Sequence, residues 1–158
     1  MLKQISIVAI ILLFLTACAQ KRDITFSLPY KVVVKTKNLA IADGGFLTKA
    51  DNYKSLEVFS AGKIVLHVEL NKNACINNLC TNRLDFNQRV FGYSYYRNFL
   101  DDILDKKEIY DGKNIIKTND GFKQNIKTKD YDITYSVDKK SLYFKDKANH
   151  VLLKLRRL

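Results

Sequence analysis

The segment Lys63-Ile64-Val65-Leu66-His67-Val68-Glu69-Leu70 determines the fold class, because it alternates apolar side chains with others at a period of two residues. Successive side chains of a strand point to opposite faces, so His67 and Glu69 lie opposite an apolar face. That apolar face consists of Ile64, Leu66, Val68 and Leu70. Residues 54–59 form another strand pattern, and Ser60-Ala61-Gly62 separates the two. This arrangement predicts an antiparallel hairpin.

The pattern extends in both directions and is interrupted once by helical periodicity. Further strands are predicted at 30–37, 114–118, 122–129, 131–137, 142–144 and 150–156. Residues 82–91 and 94–107 instead place apolar side chains at helical spacing, with Ser94 as the expected N-cap of the second helix and Gly92 ending the first. Asp43-Gly44-Gly45 predicts a turn. The fold expected is a β-rich α+β domain, a curved antiparallel sheet or incomplete barrel with one inserted helix pair.

Length and charge restrict the possible partners. The 158 residues are the size of one domain, and the net charge is +11. A basic surface suits anionic partners such as lipid head groups, lipopolysaccharide phosphates or nucleic acid. Because lysines are spread through nearly every predicted strand, a solvated surface combined with codon bias is the simpler interpretation of the charge.

The first residues form an export signal. Lys3 precedes an apolar run over 5–14, which is shorter than the roughly 20 residues needed to span a bilayer. Leu15-Thr16-Ala17-Cys18 follows and resembles the lipobox of bacterial lipoproteins. The resemblance implies a signal peptide at 1–17, a lipid-anchored lead segment at 18–28 and a single periplasmic domain at 29–158. The alternative is an ordinary secretory signal cut near Ala17 or Ala19, with Cys18 unmodified.

The same resemblance implies a location. In that family the cysteine thiol carries a diacylglyceryl group and the new amine is usually acylated. Two or three acyl chains of the palmitate class hold a protein on a membrane essentially permanently. Ala19 stands where the family's inner-membrane retention signal is typically Asp, so the protein is expected on the outer membrane with its body in the periplasm. Nucleic acid is not an expected partner there.

The remaining cysteines, Cys75 and Cys80, are expected to form a disulfide, because paired thiols in an oxidising compartment usually bridge. A redox role competes with this interpretation, but four intervening residues do not make the C-x-x-C pattern. A zinc site is the weaker alternative, since His67 and His150 are the only histidines. We expect no metal and no cofactor.

The sequence offers little to an enzyme. It has no nucleophile elbow, metalloprotease helix or phosphate-binding glycine loop. Asp101, Asp102 and Asp105 are expected on the solvated face of the second helix, and His67 and His150 on the surface. We therefore expect no catalytic residues and no enzymatic activity.

The aromatic content indicates an apolar interior. Nine Tyr and nine Phe are interleaved on the predicted strands and helices. Such side chains on one face of a curved sheet make either a solid core or the lining of a cavity for an acyl chain, and the alternation is the same in both cases.

Strands, one helical insertion and further strands behind a lipobox resemble the LolA/LolB-type periplasmic lipoprotein carriers. That family has an incomplete antiparallel barrel, lidded by helices, whose apolar cavity receives lipoprotein acyl chains. The resemblance implies lipid or lipoprotein handling, although no ligand-binding residue is transferred from the family. The alternative function is a structural or interaction subunit of a cell-envelope assembly that binds an envelope protein.

Overall fold

The computed structural model describes residues 24–158, which form one open antiparallel sheet of eleven strands and two short helices. The strands are β1 Ile24–Lys35, β2 Ala40–Ala50, β3 Tyr53–Ser60, β4 Lys63–Leu70, β5 Ala74–Ile76, β6 Leu79–Thr81, β7 Ile115–Thr118, β8 Gly121–Lys127, β9 Asp132–Val137, β10 Ser141–Asp146 and β11 Val151–Arg157. The helices are α1 Arg83–Phe91 and α2 Phe99–Leu104, and a 3₁₀ turn spans Tyr110–Gly112. The predicted β-rich class with a large antiparallel sheet is confirmed.

The sheet consists of two meanders, β1–β6 and β7–β11, which are joined by the pairing of the first strand with the last. The strand order is β6-β5-β4-β3-β2-β1-β11-β10-β9-β8-β7, so every strand pairs with its sequence neighbour except at the centre. There β1 pairs antiparallel with β11, with Val34 opposite Leu153. The helices lie in the connection between β6 and β7. One helical insertion between two runs of strands, as predicted, therefore separates the two halves of the sheet.

One face of the sheet packs against the helices and holds the core. We call it the inner face. Its strands bury alternate residues, as in β9, where Ile133, Tyr135 and Val137 are buried and their neighbours are not. The described core runs from Tyr30 to Leu155, with Leu28 packed against it. A chain that begins at Ala19 therefore retains all of these core residues.

The predicted turn at Asp43-Gly44-Gly45 is wrong, because these residues lie inside β2. A β-carbon at Gly45 would overlap the carbonyl oxygen of Glu57 on the neighbouring strand and touch Val32. The glycine at position 45 thus permits a close approach of two strands, which a sequence pattern cannot distinguish from a turn. Asp43 instead accepts a hydrogen bond from the Gly44 amide within the strand.

The first helix is as predicted, but the second is shorter. Asn82 caps α1 by accepting a hydrogen bond from the Asp85 amide, and Gly92 ends it in the left-handed conformation. The expected helix over 94–107 is wrong at both ends, since α2 spans only Phe99–Leu104. Ser94 is not its N-cap and instead donates a hydrogen bond to the side chain of Gln88.

The sheet begins earlier than expected. Residues 24–28, assigned by sequence to the lead segment, belong to β1 and pair with β2. Pro29 therefore lies inside the strand, where its carbonyl accepts the amide of Leu158 just beyond the end of β11. The N–H and C=O of a strand residue point to the same neighbouring strand, so the amide that Pro29 lacks would have pointed toward Leu158, at the end of the β1–β11 pairing.

The predicted signal peptide and Cys18 lie outside the described residues. Among the described residues, no helix is long and apolar enough to cross a membrane.

Candidate apolar binding site

The inner face has an aromatic half and an aliphatic half. Over β8–β10 the rings pack edge-to-face and stacked, with Tyr95 lying on Phe99 at a centroid distance of 4.1 Å and Phe144 meeting both. Two buried polar groups fix this half. The Gln124 side chain binds both the amide and the carbonyl of Ile109, and Asp146 accepts the hydroxyl of Tyr95. The aromatic half is therefore a filled core.

The aliphatic half, over β1, β3, β4 and β5, contains a cleft beneath α1. Every lining side chain is aliphatic or phenyl: Val34, Leu39, Leu56, Leu66, Val68, Ile76, Phe86, Val90, Phe91, Leu100, Leu104 and Leu153. The cleft has a free volume of about 20 Å³. That is room for about one water molecule, and the lining offers such a molecule no side-chain hydrogen bond. The site therefore suits an apolar group.

Helix α1 closes the cleft, and only a few polar contacts hold it. The buried side chain of Asn87 donates hydrogen bonds of 3.1 and 3.0 Å to the carbonyls of Tyr95 and Tyr96. Arg83 donates to the carbonyl of Asn71 and pairs with Asp101 at 2.9 Å. These contacts hold the first residue and the middle of α1, and its apolar face seals the cleft by packing.

Ion pairs join α2 to the sheet. Lys49 of β2 reaches Asp105 at 2.9 Å, and Lys54 of β3 reaches Asp101 at 3.1 Å and Asp105 at 3.3 Å. These two carboxylate side chains are only 20% exposed, so the expectation of a freely solvated acidic face was wrong. The acidic residues lie there because the helix faces lysines of β2 and β3, which the periodicity of the helix alone does not reveal.

Ionisation of Asp105 is favoured by this environment. Burial raises its pKa, but the hydrogen bond and charge of Lys49 together with the charge of Lys54 outweigh burial, so the pKa of Asp105 is below its usual range. Beside the network lies a polar surface cleft of about 520 Å³ lined by residues of both signs. Its mixed charges are satisfied mostly by each other, so we assign it a structural role.

The cysteine pair lies at the far edge of the aliphatic half. Cys75 on β5 and Cys80 on β6 are directly opposed, with an S–S distance of 2.06 Å. Asn77 and Asn78 form the connecting turn with positive φ angles of 46° and 71°. The stretch expected as a polar loop is therefore a tight hairpin, whose asparagines tolerate the left-handed conformation. The disulfide fixes the edge strand next to Ile76, which lines the cleft.

Both histidines lie outside the core and away from the apolar cleft. His67 lies on the outer face of the sheet, 3.8 Å from Glu57 and 3.7 Å from Glu69. His150 is the last residue of the turn before β11 and is exposed. Between Ile24 and Leu158, no three His, Cys, Asp or Glu side chains are grouped so as to hold a metal ion.

Comparison with known proteins gave no relative. No protein-family model matches the chain, and no curated protein matches its sequence. The candidate site therefore depends on geometry alone. Sequence reasoning predicted apolar side chains on the inner strands but missed the contribution of Leu39 from the β1–β2 turn. The available signal was the large apolar side chain of Leu39 directly after the polar residues 35–38.

Proposed function

We propose that this chain is a non-enzymatic lipoprotein of the cell envelope that binds an acyl chain in the cleft between α1 and the aliphatic half of the sheet. The observation that carries the proposal is the lining of the cleft, which contains no polar side chain. A ligand there gains only from burial of apolar surface, which favours hydrocarbon over a polar metabolite.

The cleft must widen to accept such a ligand. Ligand pockets usually measure about 300–1,000 Å³, far more than the 20 Å³ available here. Phe86, Val90 and Phe91 on α1 form one wall, so displacement of this helix opens the cleft. The movement also separates Phe91 from the rings of Tyr95 and Phe99, which it meets edge-on in the closed state. Gly92 in the left-handed conformation at its end provides a position where the chain direction can change. The closed state is then the unliganded state of a two-state equilibrium.

The location follows from the resemblances of the sequence. The lipobox at Cys18 predicts attachment to the outer membrane, with the body in the periplasm. The open sheet with helices over one face supports the resemblance to the LolA/LolB-type carriers, whose lidded incomplete barrel receives acyl chains. Handling of lipids or of lipoproteins is therefore the specific function proposed.

The test is uptake of a fluorescent fatty acid by a chain that begins at Ala19. Leu66→Ala enlarges the cleft, so we expect tighter binding together with lower stability. Leu142→Ala is the matched control, since Leu142 is equally buried on the inner face but does not line the cleft. It should lower stability by a similar amount and leave binding unchanged.

Two results would contradict the proposal. One is the absence of uptake by the wild-type chain at micromolar fatty acid. The other is an equal change in binding for Leu66→Ala and Leu142→Ala, which would place the ligand elsewhere.

A second candidate function is an interaction subunit of an envelope assembly. It is favoured by the edge strand β7, which pairs on one side only, with β8, and whose Ile116 is 61% exposed. Such an edge can receive a strand from a partner. Cross-linking from a cysteine introduced at Ile116 should then give one stoichiometric product in membranes. Unchanged monomer would exclude a partner at this edge.

A further inference from the structure

The outer face of the central strands, opposite the helices, carries only positive charge. Where β1, β11 and β10 pair with one another, nine positions point outward: Lys31, Val33, Lys35, Leu152, Lys154, Arg156, Ser141, Tyr143 and Lys145. Five of the nine are cationic and none is acidic, so a partner of this surface must carry negative charge. We call these nine residues the basic sheet face.

The cations of the basic sheet face are adjacent and unneutralised. Lys31 lies directly opposite Arg156, and Lys154 lies opposite Tyr143 on the other side of its strand. Neighbouring strands are about 4.8 Å apart, so the charges form one continuous patch. None of the five forms an ion pair with another residue between Ile24 and Leu158, whereas Lys49, Lys54 and Arg83 on the helix side do. The positive potential of this face is therefore available to an external anion.

An exposed apolar patch adjoins the basic sheet face on the same side. Along one row perpendicular to the strands, Lys31 is followed by Gly44, Phe59 and Ile64. Phe46 packs edge-on against Phe59 with ring centroids 6.0 Å apart. Phe46 and Ile64 are 45% and 50% exposed, although both are large and apolar. Charge and apolar surface thus lie side by side.

A strand irregularity creates this patch. The β4 alternation predicts that Ile64 shares the buried face of Leu66, but the register shifts between Val58 and Phe59. One extra residue in β4 therefore turns Ile64 to the outer face, opposite Phe59. The result is an apolar surface where the sequence pattern predicts a core residue.

We propose that the basic sheet face and the adjoining Phe46–Phe59–Ile64 patch dock on the surface of an anionic phospholipid bilayer. Lysines and arginines attract acidic head groups, and aromatic or aliphatic side chains beside them enter the head-group region. The patch favours a membrane over nucleic acid or an acidic protein segment, since a polyanion in water offers nothing to cover Ile64.

This docking is distinct from the proposed acyl binding, because the two surfaces lie on opposite faces of the sheet. With the outer face on the bilayer, α1 and the cleft point away from the membrane. The interaction also needs no lipid anchor, so a chain without Cys18 tests it, and uptake of fatty acid is measured separately.

The experiment is co-sedimentation of the chain 19–158 with vesicles. At low ionic strength, we compare vesicles of phosphatidylcholine that contain about 30% phosphatidylglycerol with vesicles of pure phosphatidylcholine. The triple variant Lys31→Gln, Lys154→Gln and Arg156→Gln should bind the anionic vesicles about 100-fold more weakly, since each cation near such a surface contributes about fivefold. Phe46→Ser should also weaken binding, by removing an inserted ring.

A control triple variant has the same net charge as the first triple variant. Lys72, Lys113 and Lys129 are exposed and lie outside the basic sheet face, so replacing all three with Gln should reduce binding by less than about fivefold. An equal loss in both triple variants would overturn the proposal, because binding would then follow net charge alone. So would equal binding to the two kinds of vesicle. A third overturning result is tight binding of double-stranded DNA or polyglutamate, lost in the first triple variant, without any binding to vesicles.

Discussion

The hydroxyl of Tyr95 donates a 2.7 Å hydrogen bond to Asp146 Oδ2, and both residues are completely buried. Tyr95 lies between the two helices, whereas Asp146 ends β10, so this bond ties the helical insertion to the sheet. Asp146 also accepts the backbone amides of Asp132 and Ala148 and the side-chain amide of Asn149. Protein donors thus replace the water that a buried carboxylate loses. Burial and this bond raise the pKa of Tyr95 above its usual range.

Tyr95→Phe should therefore lower the free energy of unfolding by about 1.5–3 kcal/mol, because it removes one donor from a buried carboxylate while keeping the ring packing. Chemical denaturation measures the change. Tyr143→Phe is the control, since Tyr143 lies on the outer face, and its effect should be below about 0.5 kcal/mol. Equal effects of the two substitutions would mean that the bond to Asp146 contributes nothing.

The ion pairs of Asp105 should make stability depend on pH. Its pKa in the folded state is below the unfolded value of about 3.9, so the stabilisation is complete above that value and is lost as pH falls through the folded pKa. Asp105→Asn should cost about 1 kcal/mol at pH 7 and flatten the profile below about pH 4. Asp120→Asn, in the exposed β7–β8 turn, should leave the profile unchanged. Unfolding midpoints between pH 2 and pH 7 provide the measurement.

The sequence allowed prediction of what short-range patterns determine. The alternation from Lys63 to Leu70 gave the bounds of β4, and Asn82 with Gly92 bounded α1 correctly. In both cases the physical cause, a period or a cap, lies within a few residues of the element that it specifies. Cys75 and Cys80 were paired for another reason, because two thiols in an oxidising compartment usually bridge.

Other features depend on contacts between distant segments. The apolar residues at helical spacing begin at Tyr96, and Ser94 is a suitable N-cap residue, so the sequence predicts a helix from there. In the structure the carbonyls of Tyr95 and Tyr96 instead accept hydrogen bonds from the side-chain amide of Asn87. The apolar cleft could not be separated from a filled core, because both need the same alternation on the inner strands. Which half of the sheet is filled depends on how the aromatic rings pack around Phe144, and the helices determine that packing.

Removal of the disulfide should have a small and local effect. The bridge closes a ring of about six residues, for which the loss of chain entropy is worth about 2 kcal/mol. The variant Cys75→Ala/Cys80→Ala should unfold up to that much more easily, and its amide exchange should increase first in β5 and β6. Wild type in a reducing agent should behave in the same way. Loss of folding altogether would show that the edge hairpin supports the whole sheet.

The opposition of Lys31 and Arg156 should cost the fold stability. Like charges directly opposite each other on paired strands are destabilising by up to about 1 kcal/mol, and both side chains are exposed on the basic sheet face. Lys31→Gln should therefore raise the midpoint of thermal unfolding, and the gain should shrink in 1 M salt, where screening is strong. Lys72→Gln, a change of equal charge outside this face, should leave the midpoint nearly unchanged. Because the same substitution should weaken binding to anionic vesicles, a more stable protein that binds less cannot be explained by misfolding. A lower midpoint for Lys31→Gln would instead show that the aliphatic stem of Lys31 contributes more to the β1–β11 pairing than its charge costs.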